Sequence, residues 1–189
     1  MTATVEFIFD IAAPNGYLAW YPLKDIAART GARLEVTPVF LGGMHKLTGN
    51  APPMIRDAGV KGKVAYAALE FQRFVDRHGM HRFRMHPALP FNSILLQRVL
   101  AAAADEAQRQ ALVEALLPAV WERNIDCSDA DAVGAELTQA GFDARALLAA
   151  AQDPAVKARL AENTERAVER GAFGIPTFFV DGEMWFGKE

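Results

Sequence analysis

The pattern of apolar and polar positions divides the chain into a strand–helix–strand start, a long helical middle and a two-strand end. Alternating apolar residues that stop at a breaker predict a buried first strand over residues 4–11. Helical spacing predicts a helix over 17–30, and a second alternating stretch predicts a strand over 33–39. Apolar residues at helical spacing then predict helices at about 61–78, 94–104, 105–122, 129–140, 143–151 and 154–170.

Two further segments are rich in glycine and proline. The stretch 40–44 contains two adjacent glycines and is predicted to leave the sheet through them as a flexible connection. Residues 45–60 predict a loop, which is either ordered over a functional site or a plain surface loop, and composition alone favours the second. Residues 171–187 predict a loop with a proline, a strand, an Asp-Gly turn and a final strand.

The junction of the first strand and the first helix is the first candidate for chemistry. Pro14 suits the first turn of a helix, where its missing N–H is not needed. A strand that runs straight into a helix leaves backbone N–H groups and the positive end of the helix dipole at residues 13–16. Such a corner stabilises a thiolate or another anion. The residues alone leave open the alternative of an ordinary first βα turn in an α/β domain.

Composition narrows the class of protein. The chain has 189 residues, 51% of them hydrophobic and 23% charged, which fits one soluble domain or one domain with an insertion. Its net charge of −3 argues against a nucleic-acid partner, and no apolar run is long enough to predict a membrane span. The one cysteine, Cys127, excludes an internal disulfide or dithiol, which suits the cytoplasm, and residues 1–4 lack the basic start of a signal peptide. The four histidines lack the spacing of metal ligands, so no metal is expected.

Two short motifs together match the layout of thioredoxin-like proteins. These are Ala13-Pro14-Asn15-Gly16 at the first helix start and Gly174-Ile175-Pro176-Thr177 late in the chain. In DsbA-type oxidoreductases the first motif is Cys-Pro-X-Cys, and Ala13 and Gly16 fill both cysteine positions here. The second motif implies a cis peptide bond between Ile175 and Pro176.

Further residues, in order along the whole chain, narrow this resemblance. They are Phe9-Asp10, Pro14, Tyr17-Leu18-Ala19, Lys46 to Asn50, Pro52-Pro53, Pro90-Phe91-Asn92, Trp121 with Asp126, Thr164, Phe173 to Thr177 and Phe186-Gly187. The chain therefore resembles the 2-hydroxychromene-2-carboxylate isomerases, bacterial relatives of the kappa-class glutathione transferases. The resemblance implies an α/β fold with a discontinuous thioredoxin-like domain (1–44 and 161–189) and an inserted all-helical domain (45–160). It also implies a closing helix after the position of Gly187.

The resemblance implies a glutathione-dependent cis–trans isomerase of an aromatic carboxylate. The cysteine of glutathione, the cofactor, would pair with Ile175, and its thiolate would face residues 13–16. The catalytic residues implied are Ala13, Asn15 and Lys46. The residues implied to bind the cofactor are Pro14, Asn50, Arg56, Asn92, Ile175, Pro176 and Gly187. A homodimer is left open.

One departure from the family pattern affects the prediction of function. The family carries a catalytic serine immediately before the proline of the helix start, and this chain has Ala13 there. The alternative is therefore a kappa-class-like protein that binds glutathione or transfers it without isomerase activity. A third hypothesis is a thioredoxin-fold interaction protein without thiol chemistry.

Overall fold

The computed structural model describes residues 2–189 and contains one mixed four-stranded sheet. Its strands are β1 (Thr4–Phe9), β2 (Arg33–Pro38), β3 (Thr177–Val180) and β4 (Glu183–Phe186). They lie in the order β2-β1-β3-β4, with β1 and β2 parallel and the other pairs antiparallel. This arrangement confirms the predicted thioredoxin-like order of a βαβ unit followed, after the helices, by a hairpin.

The hairpin turn follows directly from its sequence. Asp181 and Gly182 have φ angles of 50° and 86°, so both central residues have positive φ, as a two-residue type I′ turn requires. Aspartate and glycine tolerate that conformation better than other residues. The Asp-Gly pair therefore fixes the register of β3 against β4, which places Thr177 opposite Phe186.

Nine helices are described between residues 2 and 189. They are α1 (Pro14–Thr30), α2 (Leu41–Thr48), α3 (Pro53–Arg56), α4 (Lys63–Arg77), α5 (Ile94–Ala101), α6 (Glu106–Trp121), α7 (Ala130–Gln139), α8 (Ala144–Ala150) and α9 (Pro154–Glu169). Helix α1 begins at Pro14 and not at residue 17, because the proline already occupies the first turn. Aspartate side chains accept backbone N–H bonds at the starts of α6 to α9, as N-caps do.

The prediction of a flexible connection at residues 40–44 was wrong. Gly42 and Gly43 lie inside α2. A Cβ atom on Gly42 would lie 2.9 Å from the ring of Phe40, and one on Gly43 would lie 3.2 Å from it. The glycines therefore make room for an aromatic ring against the helix. The predicted loop at 45–60 likewise contains the end of α2 and the whole of α3.

One buried core joins the sheet to the helices. It includes Phe7 and Phe9 of β1, Trp20 of α1, Leu100 of α5 and Trp121 of α6. The predicted domain boundary between residues 160 and 161 falls inside α9, which packs against α2, α5 and β2. The division into two domains stays a prediction. No helix described within residues 2–189 is both long and apolar enough to cross a membrane.

Candidate functional site

The corner between β1 and α1 offers fewer free N–H groups than its sequence predicts. Ala13 is the N-cap residue of α1, and its side chain makes no cap hydrogen bond. Its N–H donates to Asp10 O at 3.1 Å, and the N–H of Gly16 donates to Ala13 O at 2.8 Å. Pro14 has no N–H. Among residues 2–189, the Asn15 N–H is thus the one backbone donor of this motif without an acceptor.

The loop around Pro176 lies against this corner. A Cβ atom on Gly16 would lie 3.6 Å from Ile175 Cγ2, so the first turn of α1 and the loop touch. The Ile175–Pro176 peptide bond is cis, as predicted. Neither the N–H nor the C=O of Ile175 has a backbone partner in the part of the chain that the structure describes. The Gly187 N–H donates to Pro176 O at 3.1 Å, which ties the end of β4 to the same loop.

Asp10 is a buried carboxylate at the centre of the corner. Its Oδ1 accepts from the Ala12 N–H at 2.9 Å. Its Oδ2 accepts from the Leu41 N–H at 2.7 Å and from the Ser93 hydroxyl at 3.0 Å. Burial raises the pKa of Asp10 to about 6, because it outweighs the opposing effect of these hydrogen bonds. One side chain therefore fixes the corner, the start of α2 and the start of α5 relative to one another.

Two helical side chains hold the backbone of the same corner. Gln97 Nε2 donates to Phe9 O and to Val39 O, both at 2.8 Å, and its Oε1 accepts from the Ile11 N–H at 3.2 Å. Trp121 Nε1 donates to Ile11 O at 2.8 Å. Gln97 and Trp121 are fully buried. Their partners satisfy backbone groups that would otherwise be buried without hydrogen bonds at high cost.

The sequence analysis gave Asp10, Ser93 and Gln97 no role at the corner. The pattern that could have revealed them is a polar residue among apolar neighbours. Asp10 follows the buried strand directly, and Gln97 stands among the apolar residues of α5. Buried polar groups need partners, so such positions indicate a hydrogen-bond network even when its members are unknown.

Two of the predicted cofactor-binding residues lie beside the Pro176 loop. Asn50 Nδ2 donates to Phe173 O at 2.7 Å, and its Oδ1 lies 3.5 Å from a guanidinium nitrogen of Arg56. Arg56 itself forms a two-point ion pair with Asp57, with both N–O distances at 2.9 Å. Arg56 and Lys63 hold the pKa of Asp57 well below its usual range. The charge of Arg56 is therefore largely neutralised before any ligand binds.

The remaining predicted polar residues differ in their surroundings. Lys46, in the last turn of α2, is exposed and forms no ion pair or hydrogen bond within residues 2–189. Asn92 is exposed, and its Oδ1 accepts from the Ile94 N–H at 2.9 Å, so this oxygen is already bonded to the first residue of α5, whose N-cap is Ser93. The buried Oδ1 of Asn15 has no hydrogen-bond partner in the described chain. The roles of these residues toward a ligand stay predictions.

An exposed aromatic pair borders the Pro176 loop. The rings of Phe173 and Phe186 lie 4.5 Å apart, and 38% and 52% of these residues are exposed. A Cβ atom on Gly174 would lie 3.1 Å from the Phe186 ring and 4.0 Å from Asn50 Nδ2. Large apolar side chains on a surface mark a place where an apolar ligand or partner can bind. These rings stand where a ligand along the loop would meet them.

Cys127 is expected to be inert toward thiol reagents in the native protein. The residue is 2% exposed, and burial raises the pKa of its thiol to about 12, so almost no thiolate exists at neutral pH. Ellman's reagent should react with Cys127 only in denaturant, and the native protein should not reduce insulin disulfides. A stoichiometric reaction within minutes without denaturant would contradict this.

Comparison with known proteins agrees with this geometry. Residues 4–189 match the model of the DSBA-like thioredoxin domain family. The chain is 30% identical to a 2-hydroxychromene-2-carboxylate isomerase of Sphingobium xenophagum over 191 residues, covering 100% of this chain and 94% of that protein. It is 29% identical to human glutathione S-transferase kappa 1, covering 98% of this chain and 86% of that protein.

A solved structure gives the same result. The structure of a 2-hydroxychromene-2-carboxylate isomerase superposes with a TM-score of 0.83 at 29% identity, covering 98% of this chain and 89% of that one. These matches confirm the predicted thioredoxin-like fold and the prediction that the chain is an isomerase. The chain belongs to the DSBA-like thioredoxin domain family and, within it, to the family of 2-hydroxychromene-2-carboxylate isomerases.

Proposed function

We propose that the chain is a glutathione-dependent cis–trans isomerase of an aromatic carboxylate, with 2-hydroxychromene-2-carboxylate or a close analogue as substrate. The observation that carries the proposal is the contact between the start of α1 and Ile175, whose backbone N–H and C=O lack partners among residues 2–189. A short peptide with a thiol can add to that edge as a strand does. Its thiol then lies beside the positive end of α1.

The residues at the corner suit glutathione. Its cysteine would pair with the backbone of Ile175, and the Asn15 N–H would donate to its sulfur. When bound, glutathione would supply a thiolate for reversible addition to the conjugated double bond of the substrate, and residues 13–16 and Ile175 would hold it. The helix start favours the thiolate over the thiol, so the chain contributes a lowered thiol pKa and a fixed position.

The surroundings of the Pro176 loop suit an aromatic carboxylate. The exposed rings of Phe173 and Phe186 offer an apolar surface for the aromatic part of the substrate. Lys46 is a cation without a carboxylate partner in the described chain, so it can receive a carboxylate of substrate or cofactor. Arg56 is less suited to that task, because Asp57 already occupies two of its donors.

An isomerisation assay tests the proposal. The purified protein should convert 2-hydroxychromene-2-carboxylate to its trans open-chain isomer in the presence of glutathione, and the rate should fall to background without it. S-methylglutathione, which binds but carries no free thiol, is the control and should not support the reaction. Turnover at the same rate without glutathione would contradict the proposed role of the thiol.

A second candidate function rests on Ala13. Because the N-cap side chain of α1 has no hydroxyl, the thiolate lacks one donor, and a protein that binds glutathione without isomerising could result. Glutathione would then raise the melting temperature of the chain, and conjugation of glutathione to 1-chloro-2,4-dinitrobenzene could proceed while isomerisation does not. If glutathione leaves the melting temperature unchanged, both candidate functions are wrong.

Lys46→Ala is expected to weaken the binding of glutathione or of the carboxylate substrate by up to roughly 5-fold, because one exposed ion pair is worth about 0.2–1 kcal/mol. Calorimetric titration of each ligand measures the dissociation constant. Lys157→Ala, which removes the same charge from α9, is the matched control and should leave both constants unchanged. Equal affinities in wild type and Lys46→Ala would place Lys46 outside the site.

A further inference from the structure

A cleft lies beside β2, apart from all the residues assigned above. Its volume is about 190 Å³, and it is lined by β2 together with residues of α5, α6 and α9. Three of its lining residues are arginines, namely Arg109, Arg159 and Arg166, and we call it the arginine cleft. Arg159, Asn163 and Arg166 follow one another at helical spacing, so they share one face of α9. No carboxylate lines the cleft.

Hydrogen bonds hold the two guanidinium groups of α9 in place. Arg159 donates to Ala101 O at 2.8 Å, and Arg166 donates to Asn163 Oδ1 at 3.0 Å. Asn163 in turn donates through Nδ2 to Pro38 O at 3.2 Å. Each guanidinium group thus uses one of its N–H groups in a hydrogen bond to the protein. The others remain available in a fixed orientation, which lowers the entropic cost of binding a ligand.

The positive charge of the cleft is only partly balanced by the described chain. Arg109 pairs with Glu106 at 2.5 Å. Arg159 and Arg166 form no ion pair within residues 2–189, even though Glu162 stands between them on α9. Two uncompensated guanidinium groups beside a third are unusual in a chain whose net charge is −3. Like charges that share a cleft repel one another, and a bound anion removes that repulsion.

We propose that the arginine cleft binds a small oxyanion with two negative charges, of the phosphate or phosphomonoester class. Guanidinium groups bind phosphate through paired N–H···O bonds, and the two unpaired groups of Arg159 and Arg166 together match the several oxygens of a phosphate better than the two of a carboxylate. The volume admits a phosphate group with a small substituent. This inference stands independently of the proposed isomerase function, because the two sites share no residue.

Titration calorimetry with inorganic phosphate tests the proposal, at constant pH and with chloride adjusted to constant ionic strength. Wild type should bind one phosphate per chain. Arg159→Gln/Arg166→Gln should bind at least tenfold more weakly. The control Arg73→Gln/Arg145→Gln removes two exposed arginine charges from α4 and α8 and should bind like wild type.

Two further measurements guard against misleading outcomes. Arg166→Gln alone keeps the bond from Arg159 to Ala101, so it should fold normally and lose part of the affinity. Circular dichroism of each variant checks that the helices are intact. If wild type binds no phosphate, or if the control loses as much affinity as the double variant, the cleft is not a phosphate site.

Discussion

Asp10→Ala is expected to lower the free energy of unfolding by at least roughly 3 kcal/mol and to abolish glutathione binding. The substitution leaves the N–H groups of Ala12 and Leu41 and the hydroxyl of Ser93 without their acceptor. Each donor left buried without a partner costs about 1–3 kcal/mol, although water entering the gap recovers part of this. The corner then loses its fixed position against α2 and α5. Urea unfolding and calorimetric titration measure the two effects.

Two control variants separate this network from the loss of any acidic residue. Ser93→Ala removes one of the three donors and should cost about 1 kcal/mol, because Asp10 keeps its two backbone partners. Asp105→Ala removes an exposed carboxylate whose side chain caps α6, and should cost about 1 kcal/mol without any effect on glutathione binding. If Asp10→Ala is no more costly than Asp105→Ala, the three bonds do not act as a unit.

The pH dependence of stability carries the signature of the same carboxyl group. The pKa of Asp10 is about 6 in the native chain and about 4 in an unfolded one, so the native state binds more protons between these values. The contribution of the raised Asp10 pKa to the free energy of unfolding is therefore fully present below about pH 4 and is lost as the pH rises through 6. At about 1.4 kcal/mol per pKa unit, wild type should lose roughly 3 kcal/mol relative to Asp10→Asn across this window. If the difference in unfolding free energy between wild type and Asp10→Asn stays constant from pH 4 to 7, the raised pKa of Asp10 is contradicted.

Ala13→Ser is expected to raise the rate of glutathione-dependent isomerisation by about ten- to a hundredfold. A hydroxyl at the N-cap can donate a hydrogen bond to the thiolate in addition to the one from the free N–H of Asn15. A hydrogen bond to a charged group is worth about 1.5–3 kcal/mol, which is one to two powers of ten when it acts in the transition state. The gain should appear in kcat/KM and as a lowered thiol pKa in the pH–rate profile.

Ala12→Ser is the matched control for this gain. It adds the same hydroxyl one residue earlier, outside the N-cap position of α1, and should leave the rate unchanged. Asn15→Ala should lower whatever activity the wild type has, because it removes the one polar side chain of the motif. If Ala13→Ser changes nothing while the wild type is already fast, Asn15 or Lys46 must carry the chemistry.

Local sequence patterns predicted the elements that bear the site. The alternation of apolar and polar residues predicted β1, and Pro14 indicated the first turn of α1. The Asp-Gly pair predicted the turn of the final hairpin. The contact of the corner with Ile175 followed from the resemblance and not from the pattern, because 159 positions of chain separate Gly16 from Ile175. Helix α2 was missed, since paired glycines disfavour a helix unless a neighbouring ring needs the space.

The network at the corner lay beyond local patterns for a physical reason. Asp10 meets Ser93 across 83 positions, Gln97 meets Phe9 across 88, and Trp121 meets Ile11 across 110. The apolar neighbours of Gln97 indicate that its side chain is buried, but they do not identify the partner. Only the assembled fold shows which distant backbone groups the amide of Gln97 binds.

The backbone of the corner keeps its shape without a hydrogen bond from the side chain at position 13. Ala13 makes no cap hydrogen bond, while Asp10, Gln97 and Trp121 hold the chain from behind. The Ala13 side chain lies in a small buried apolar cluster with Ile8 and Ile175, so a residue of similar size can replace it without the loss of a hydrogen bond that holds the corner. A hydroxyl or a thiol at position 13 is therefore expected to change the polar groups at the start of α1 at little cost in the free energy of unfolding.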